Sequence, residues 1–214
     1  MSIWHPSRLL FDLDGTLVDS TAVVDRCWTA LAERLGVEPE TVVGRYHGMP
    51  ANVALPMVDP SLEPAEVDEL HRWLLSLEVA DTDGIVALPG AADLLTSLPD
   101  DAWTIVTSCT HELAELRLAA AGLPVPALMV CSDDVARGKP DPEPYLLGAR
   151  RTGTPPAECL VVEDAPAGVA SARAAGCDVV GVLTTHDSLD TVTVGSLADL
   201  DVTVDAGRVT VAVA

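Results

Sequence analysis

Aromatic residues are scarce here: one phenylalanine, two tyrosines and four tryptophans in 214 residues. Positive charge is scarce and lopsided, with eleven arginines, a single lysine (Lys139) and a net charge of −21. A chain with neither a basic footprint nor a stacking surface excludes a nucleic-acid partner, and an anionic membrane would repel it. No apolar run approaches the roughly 18 residues that a membrane span needs. Residues 1–10 reach an acidic loop too soon to hold a signal-peptide apolar region. Cysteine is present but unorganised. Cys27, Cys109, Cys131, Cys159 and Cys177 are odd in number and lack C-x-x-C spacing, and several lie inside apolar runs. There cysteine is a small buried hydrophobe, which argues for a reducing compartment and against disulfides or zinc. The expectation is a soluble, cytoplasmic protein.

What the chain does have is core material. It is 49% hydrophobic and 21% charged, and its length allows one full domain plus something smaller at roughly 150 residues per domain. Short apolar runs recur at Leu9-Leu10-Phe11, 103–106, 127–131, 160–162 and 179–183. They do not alternate with polar residues, which suits strands buried on both faces of a parallel sheet. Helical patterns separate them, at 23–35, 110–121, 142–151 and 166–175. Such alternation predicts an α/β fold with a Rossmann-like, doubly wound parallel sheet.

One connection is too long for a single crossover helix. Asp12 and Trp103 are 91 positions apart, and the stretch 20–85 carries its own helical patterns at 23–35, 52–57 and 65–77. It reads as a helical domain inserted over the carboxyl edge of the sheet, where α/β folds bind ligands. The core is then 1–19 with 86–214. After Gly195 short Val/Thr alternation begins, with Asp205-Ala206-Gly207 as a hairpin turn.

The strongest chemical signal is Phe11-Asp12-Leu13-Asp14-Gly15-Thr16-Leu17-Val18-Asp19-Ser20. Two acids at the end of a buried strand repel each other, so one carries a raised pKa or a cation sits between them. Thr107-Ser108 ends the next strand and precedes a helix, where hydroxyls and backbone N–H groups can hold an anion. Lys139 is fixed between glycine and proline in Arg137-Gly138-Lys139-Pro140-Asp141-Pro142, and Glu163-Asp164 again puts acids at a strand end. The fold would gather Asp12, Asp14, Glu163 and Asp164 around one crevice with one cation from Lys139. A hard divalent cation corrects that imbalance, and oxygen ligands with room for water and phosphate favour Mg²⁺. The arrangement describes phosphoryl transfer to a carboxylate nucleophile.

These four segments resemble the four motifs of the haloacid dehalogenase superfamily in order and approximate spacing. The insert resembles that family's C1 cap, and Gly84 to Ala91 with Val161 to Gly176 are most similar to its sugar and polyol phosphatases. The resemblance implies that Asp12 attacks phosphorus and that Asp14 serves as acid and then base. Thr107 or Ser108 would hold phosphate oxygens, and Lys139 would offset the charge. Mg²⁺ would be held by the Asp12 carboxylate, the Asp14 carbonyl and Asp164, with Glu163 an outer or additional ligand. The substrate implied is a small phosphorylated sugar or polyol. The cap would close to exclude water and reopen to release product.

Other chemistries of that family fit less well. Asp14 excludes a dehalogenase, and the lysine-free insert 20–85 excludes a Schiff-base phosphonatase. A β-phosphoglucomutase is the alternative: Trp28 and Glu163-Asp164 resemble it, whereas Thr16 and Val24 depart from it. A binding module without turnover has no need of Asp14 beside Asp12. In the cap, relatives often place a basic residue where Met49 stands, which leaves Arg45 and His47 as candidate substrate contacts. Glu78 and Asp81 are candidate acceptors for sugar hydroxyls. The oligomeric state is left open, with a monomer slightly favoured.

Overall fold

Runs such as Leu9-Leu10-Phe11 have no polar face to turn to water, and the structure, a computed structural model, places them in a sheet whose strands are buried on both faces. Residues 2–45 and 49–213 are described. In chain order the first unit runs β1 (Ser2–Trp4), β2 (Arg8–Phe11) and β3 (Val18–Asp19). Three helices follow: α1 (Thr21–Leu35), α2 (Ala51–Val58) and α3 (Pro64–Ala80). The chain continues through β4 (Val86–Ala87), α4 (Ala91–Ser97), β5 (Trp103–Val106), α5 (His111–Ala120), β6 (Met129–Val130) and α6 (Glu143–Arg151). It ends with β7 (Cys159–Glu163), α7 (Pro166–Ala175), β8 (Asp178–Val182), β9 (Val192–Val194), β10 (Asp201–Asp205) and β11 (Arg208–Val213). Two compact units result: Met1–Asp19 with Val86–Ala214, and Ser20–Ile85.

The larger unit is built on a six-stranded sheet in the order β6-β5-β2-β7-β8-β9, with every neighbouring pair parallel. One side presents Leu10, Val106, Val130, Val161 and Val179 to a cluster that includes Tyr145 and Ala149 of α6 and Val169 and Ala172 of α7. Each large apolar side chain so removed from water contributes about 1.5–3 kcal/mol. From β2 the chain goes first to β5 and β6 on one side, then to β7 and β8 on the other. That makes β2 the point where strand order reverses, and ligands in such sheets bind beyond the carboxyl ends there. A separate antiparallel sheet, β1-β11-β10, joins the two ends of the chain. Its β10–β11 hairpin turns on Ala206 and Gly207, both at positive φ, as a two-residue turn of this kind requires.

The smaller unit is helical. α3 packs against both α1 and α2, with Val23, Trp28 and Leu31 of α1 and Val67, Leu70 and Leu74 of α3 buried. Arg26 pins α1 to the end of α3 through Asp81 at 2.8 Å and the Asp83 carbonyl at 2.7 Å. Asp81 was expected as an acceptor for sugar hydroxyls. Here Arg26 takes its Oδ2, and its Oδ1 accepts from the Asp83 amide at 3.0 Å, so it closes a helix end.

Candidate active site

Asp12 follows directly on β2, and its amide donates to the Val162 carbonyl of β7 at 3.0 Å. The next residues form a tight loop anchored by Leu13 and Leu17, both fully buried. The amides of Leu17 and Val18 both donate to the Leu13 carbonyl, at 2.8 and 3.0 Å. Gly15 makes the loop possible: its φ is +84°, and a Cβ there would lie 2.3 Å from Asp164 Oδ2.

Lys139 reaches this point from a loop stapled by its own acids. Asp141 accepts from Arg137 Nε at 2.6 Å and from the Glu143 amide at 2.9 Å, while Glu143 accepts from the amides of Ala136 and Arg137 at 3.0 and 3.1 Å. Lys139 Nζ then lies 2.5 Å from Asp12 Oδ1, 2.7 Å from Glu163 Oε1 and 2.9 Å from the Val106 carbonyl. All three donor positions of the ammonium are filled. Burial works against its charge, but Asp12 and Glu163 outweigh that and hold its pKa above the ordinary lysine value.

Glu163 is buried and its oxygens are already engaged. Oε1 accepts from Lys139 and from the Tyr145 hydroxyl at 3.1 Å, and Oε2 accepts from the Ala165 amide at 2.9 Å. α7 approaches so closely that a Cβ on Gly168 would lie 1.6 Å from Oε1. Of the two parts expected for it, an outer one that holds Lys139 fits this geometry better than direct ligation.

Asp164, at the carboxyl end of β7, accepts from Thr16 Oγ1 at 3.0 Å on Oδ1 and from Thr185 on Oδ2. Oxygens of Asp12, Glu163 and Asp164 lie within 4.8 Å of one another. Burial raises the Asp12 pKa well above the usual carboxylate value, Lys139 opposes it, and the charges of Glu163 and Asp164 reinforce it. Asp164 is pushed up to about 6, by burial first and by Glu163 second, against the hydrogen bonds from Thr185 and Thr16. One ammonium among three buried carboxylates leaves negative charge uncompensated. A divalent cation fits that deficit, and the donor set is all oxygen.

Thr107 and Ser108 lie between β5 and α5 as expected. Thr107 is buried, its amide donating to the Val130 carbonyl at 2.9 Å and its Oγ1 accepting from the Cys109 amide at 3.1 Å. Ser108 is exposed. Thr110 caps α5, accepting from the Leu113 amide. Asp12, Asp14, Thr107, Ser108, Lys139, Glu163 and Asp164 thus all belong to one unit. Arg45 belongs to the other and is exposed there. His47 lies outside the described residues.

One site residue had no sequence signal. The expected single cation is corrected to two, because Arg117 of α5 is buried and puts Nη1 2.5 Å from Asp14 Oδ2. Cys109 Sγ lies 2.9 Å from both partners. Burial pushes the Cys109 thiol up, outweighing the pull of Arg117, so it stays protonated and donates. An arginine in the last turn of a helix reads as an ordinary dipole partner. Nothing in its spacing from Asp14 shows the contact. A second group of ligand-type side chains, His111, Cys131, Asp133 and Asp134, is bound up otherwise, with Arg151 paired to both oxygens of Asp134 at 2.7 and 2.8 Å.

The chain is similar to known proteins over most of its length. The family described as haloacid dehalogenase-like hydrolase matches residues 7–176. Hexitol phosphatase A of Escherichia coli is 47% identical over 175 residues, spanning 81% of each chain. Glycerol-1-phosphate phosphohydrolase 2 of Saccharomyces cerevisiae is 31% identical over 189 residues, 83% of this chain and 75% of that protein. The crystal structure of a hydrolase from Pseudomonas syringae superposes with a TM-score of 0.77 at 29% identity, covering 88% of this chain and 93% of the other. No helix among the described residues is long and apolar enough to cross a membrane. The chain belongs to the haloacid dehalogenase-like hydrolases.

Proposed function

We propose that this protein is a Mg²⁺-dependent phosphatase that hydrolyses small sugar or polyol phosphate monoesters through a phosphorylated Asp12. The observation that carries the reading is Lys139 held between Asp12 and Glu163 at 2.5 and 2.7 Å, beside an Asp164 whose pKa burial and Glu163 push up to about 6. A carboxylate held this close to an ammonium at the end of a central strand supports the reading of Asp12 as a fixed nucleophile. Similarity to hexitol phosphatase A and to a glycerol-1-phosphate phosphohydrolase supports the substrate class.

In the first half-reaction an Asp12 oxygen bonds to phosphorus as the ester oxygen–phosphorus bond breaks, and Asp14 passes a proton to the departing alcohol. In the second, Asp14 takes a proton from water, the water oxygen bonds to phosphorus, and Asp12 is released with inorganic phosphate. Lys139 offsets the negative charge shared by nucleophile and phosphoryl group. Thr107 and Ser108 hold phosphoryl oxygens at the start of α5. The carboxylates of Asp12 and Asp164 and the carbonyl of Asp14 would hold Mg²⁺, which when bound neutralises charge on the phosphoryl oxygens. Substrate choice is proposed for the unit Ser20–Ile85, where Arg45 and His47 are the candidate contacts.

The test is phosphate release from hexose, hexitol, glycerol and glycolate phosphates, with Mg²⁺ and with chelator. Mg²⁺-dependent release that favours sugar or polyol esters is expected. Isomerisation of glucose phosphate without release would overturn the reading in favour of a mutase, and silence throughout would leave a binding module.

A further inference from the structure

Arg117 has no part in the reaction just described, yet its guanidinium is buried and directed at it. Nη1 lies 2.5 Å from Asp14 Oδ2 and 2.9 Å from Cys109 Sγ, and that sulfur lies 2.9 Å from the same carboxylate oxygen. The loop after β2, the turn after β5 and the last turn of α5 therefore converge on one oxygen atom. A buried ion pair is seldom more stable than well-packed apolar residues of similar volume. Stability alone is a weak reason to spend a guanidinium here. The carboxylate it holds is also the group that must deliver and recover a proton from one fixed direction.

We propose that Arg117, assisted by Cys109, is a positioning residue that holds the Asp14 carboxylate through Oδ2 in the orientation that proton transfer to the ester needs. Two donors meeting on one carboxylate oxygen restrict how that carboxylate can turn. The Asp14 proton passes to the ester oxygen as its bond to phosphorus breaks and the Asp12–phosphorus bond forms. A water proton returns to Asp14 as the water oxygen bonds to phosphorus and the Asp12–phosphorus bond breaks. The inference rests on the phosphatase reading above.

The test compares kcat/KM for sorbitol 6-phosphate, whose alkoxide needs a proton, with that for p-nitrophenyl phosphate, whose phenolate does not. For Arg117→Met the account expects a loss of about 100-fold on the sorbitol ester and under about threefold on the nitrophenyl ester, the usual scale for a displaced general acid. Arg117→Lys restores part of the lost discrimination, and Cys109→Ala shows a few-fold change in the same direction. Equal losses on both esters, or no loss on the sorbitol ester, would overturn the inference. Circular dichroism is recorded for each variant. If Arg117→Met does not fold, Cys109→Ala decides, and an equal response of both esters there overturns it too. Wild-type protein inert toward both esters would remove the phosphatase reading itself, and this inference with it.

Discussion

Asp12 and Asp14 are two residues apart in one loop, yet they are held in opposite ways. Asp12 is enclosed in a cluster where carboxylates outnumber the single ammonium, and its side chain is 11% exposed. Asp14 meets a guanidinium and a thiol, and its side chain is 26% exposed. The first environment is built from strand ends and a loop stapled by its own hydrogen bonds. The second has solvent access on one side and a helix-borne anchor on the other. A nucleophile benefits from a fixed line of attack and an uncompensated charge that a metal can join. A proton carrier needs exchange with water as well as orientation. The difference follows from where each residue stands: Asp12 ends the central strand, whereas Asp14 has already left the sheet.

The comparison breaks most severely at Lys139. Lys139→Met leaves Asp12 and Glu163 buried without their cation, and turnover is expected to fall about 10²–10³-fold in steady-state assays. Urea denaturation of the metal-free variant should show a loss of about 3–5 kcal/mol, the usual cost of stranding a buried charge. Unchanged stability would mean that the cluster is not enclosed as described.

Metal and pH sharpen the same contrast. Because the Asp164 pKa is raised to about 6 in the folded protein, the folded state holds a proton between about pH 4 and pH 6 that the unfolded chain has released. That contribution to stability is fully present below about pH 4 and is lost as pH rises through 6. Its size is on the order of 3 kcal/mol. Mg²⁺ should therefore raise the melting temperature more at pH 7 than at pH 5, since the proton and the ion compete for one carboxylate. A shift independent of pH over that range would contradict the assignment of Asp164 as a ligand.

The smallest effect is expected at a carboxylate–guanidinium pair outside the catalytic set. Asp134 is held well below the usual carboxylate range, first by Arg151, with the Cys131 amide and His111 helping against burial. Its stabilisation is present above about pH 4 and fades as pH falls through the depressed native value. Asp134→Asn should cost about 1–2 kcal/mol at pH 7, with the difference shrinking in acid and kcat unchanged.

Much of this was legible in the residues. Leu9-Leu10-Phe11 and 103–106 announce buried parallel strands because they do not alternate with polar residues, and the acids and hydroxyls that follow them mark the candidate catalytic edge. Helices closed by glycine, as at Gly36 and Gly176, were readable to within a residue or two. Other elements were not. β1 and β9 are three residues each, too short for a period, and α4 hides in a stretch with one turn fewer than most helices. The enclosure of Glu163 depends on how closely α7 approaches at Gly168, a tertiary fact. Arg117 is the clearest case: its partner lies 103 positions away, and only the packing of α5 beside the loop after β2 makes them neighbours.

The central claim is a division of labour between the two acids, and p-nitrophenyl phosphate tests it most directly in a rapid-mixing experiment on Asp12→Asn and Asp14→Asn. The account predicts that Asp14→Asn releases about one equivalent of p-nitrophenol per protein and then stalls with phosphate on Asp12, while Asp12→Asn keeps its fold and releases none. Steady turnover by Asp12→Asn, or a stalled Asp14→Asn enzyme with no phosphate on Asp12, would contradict it.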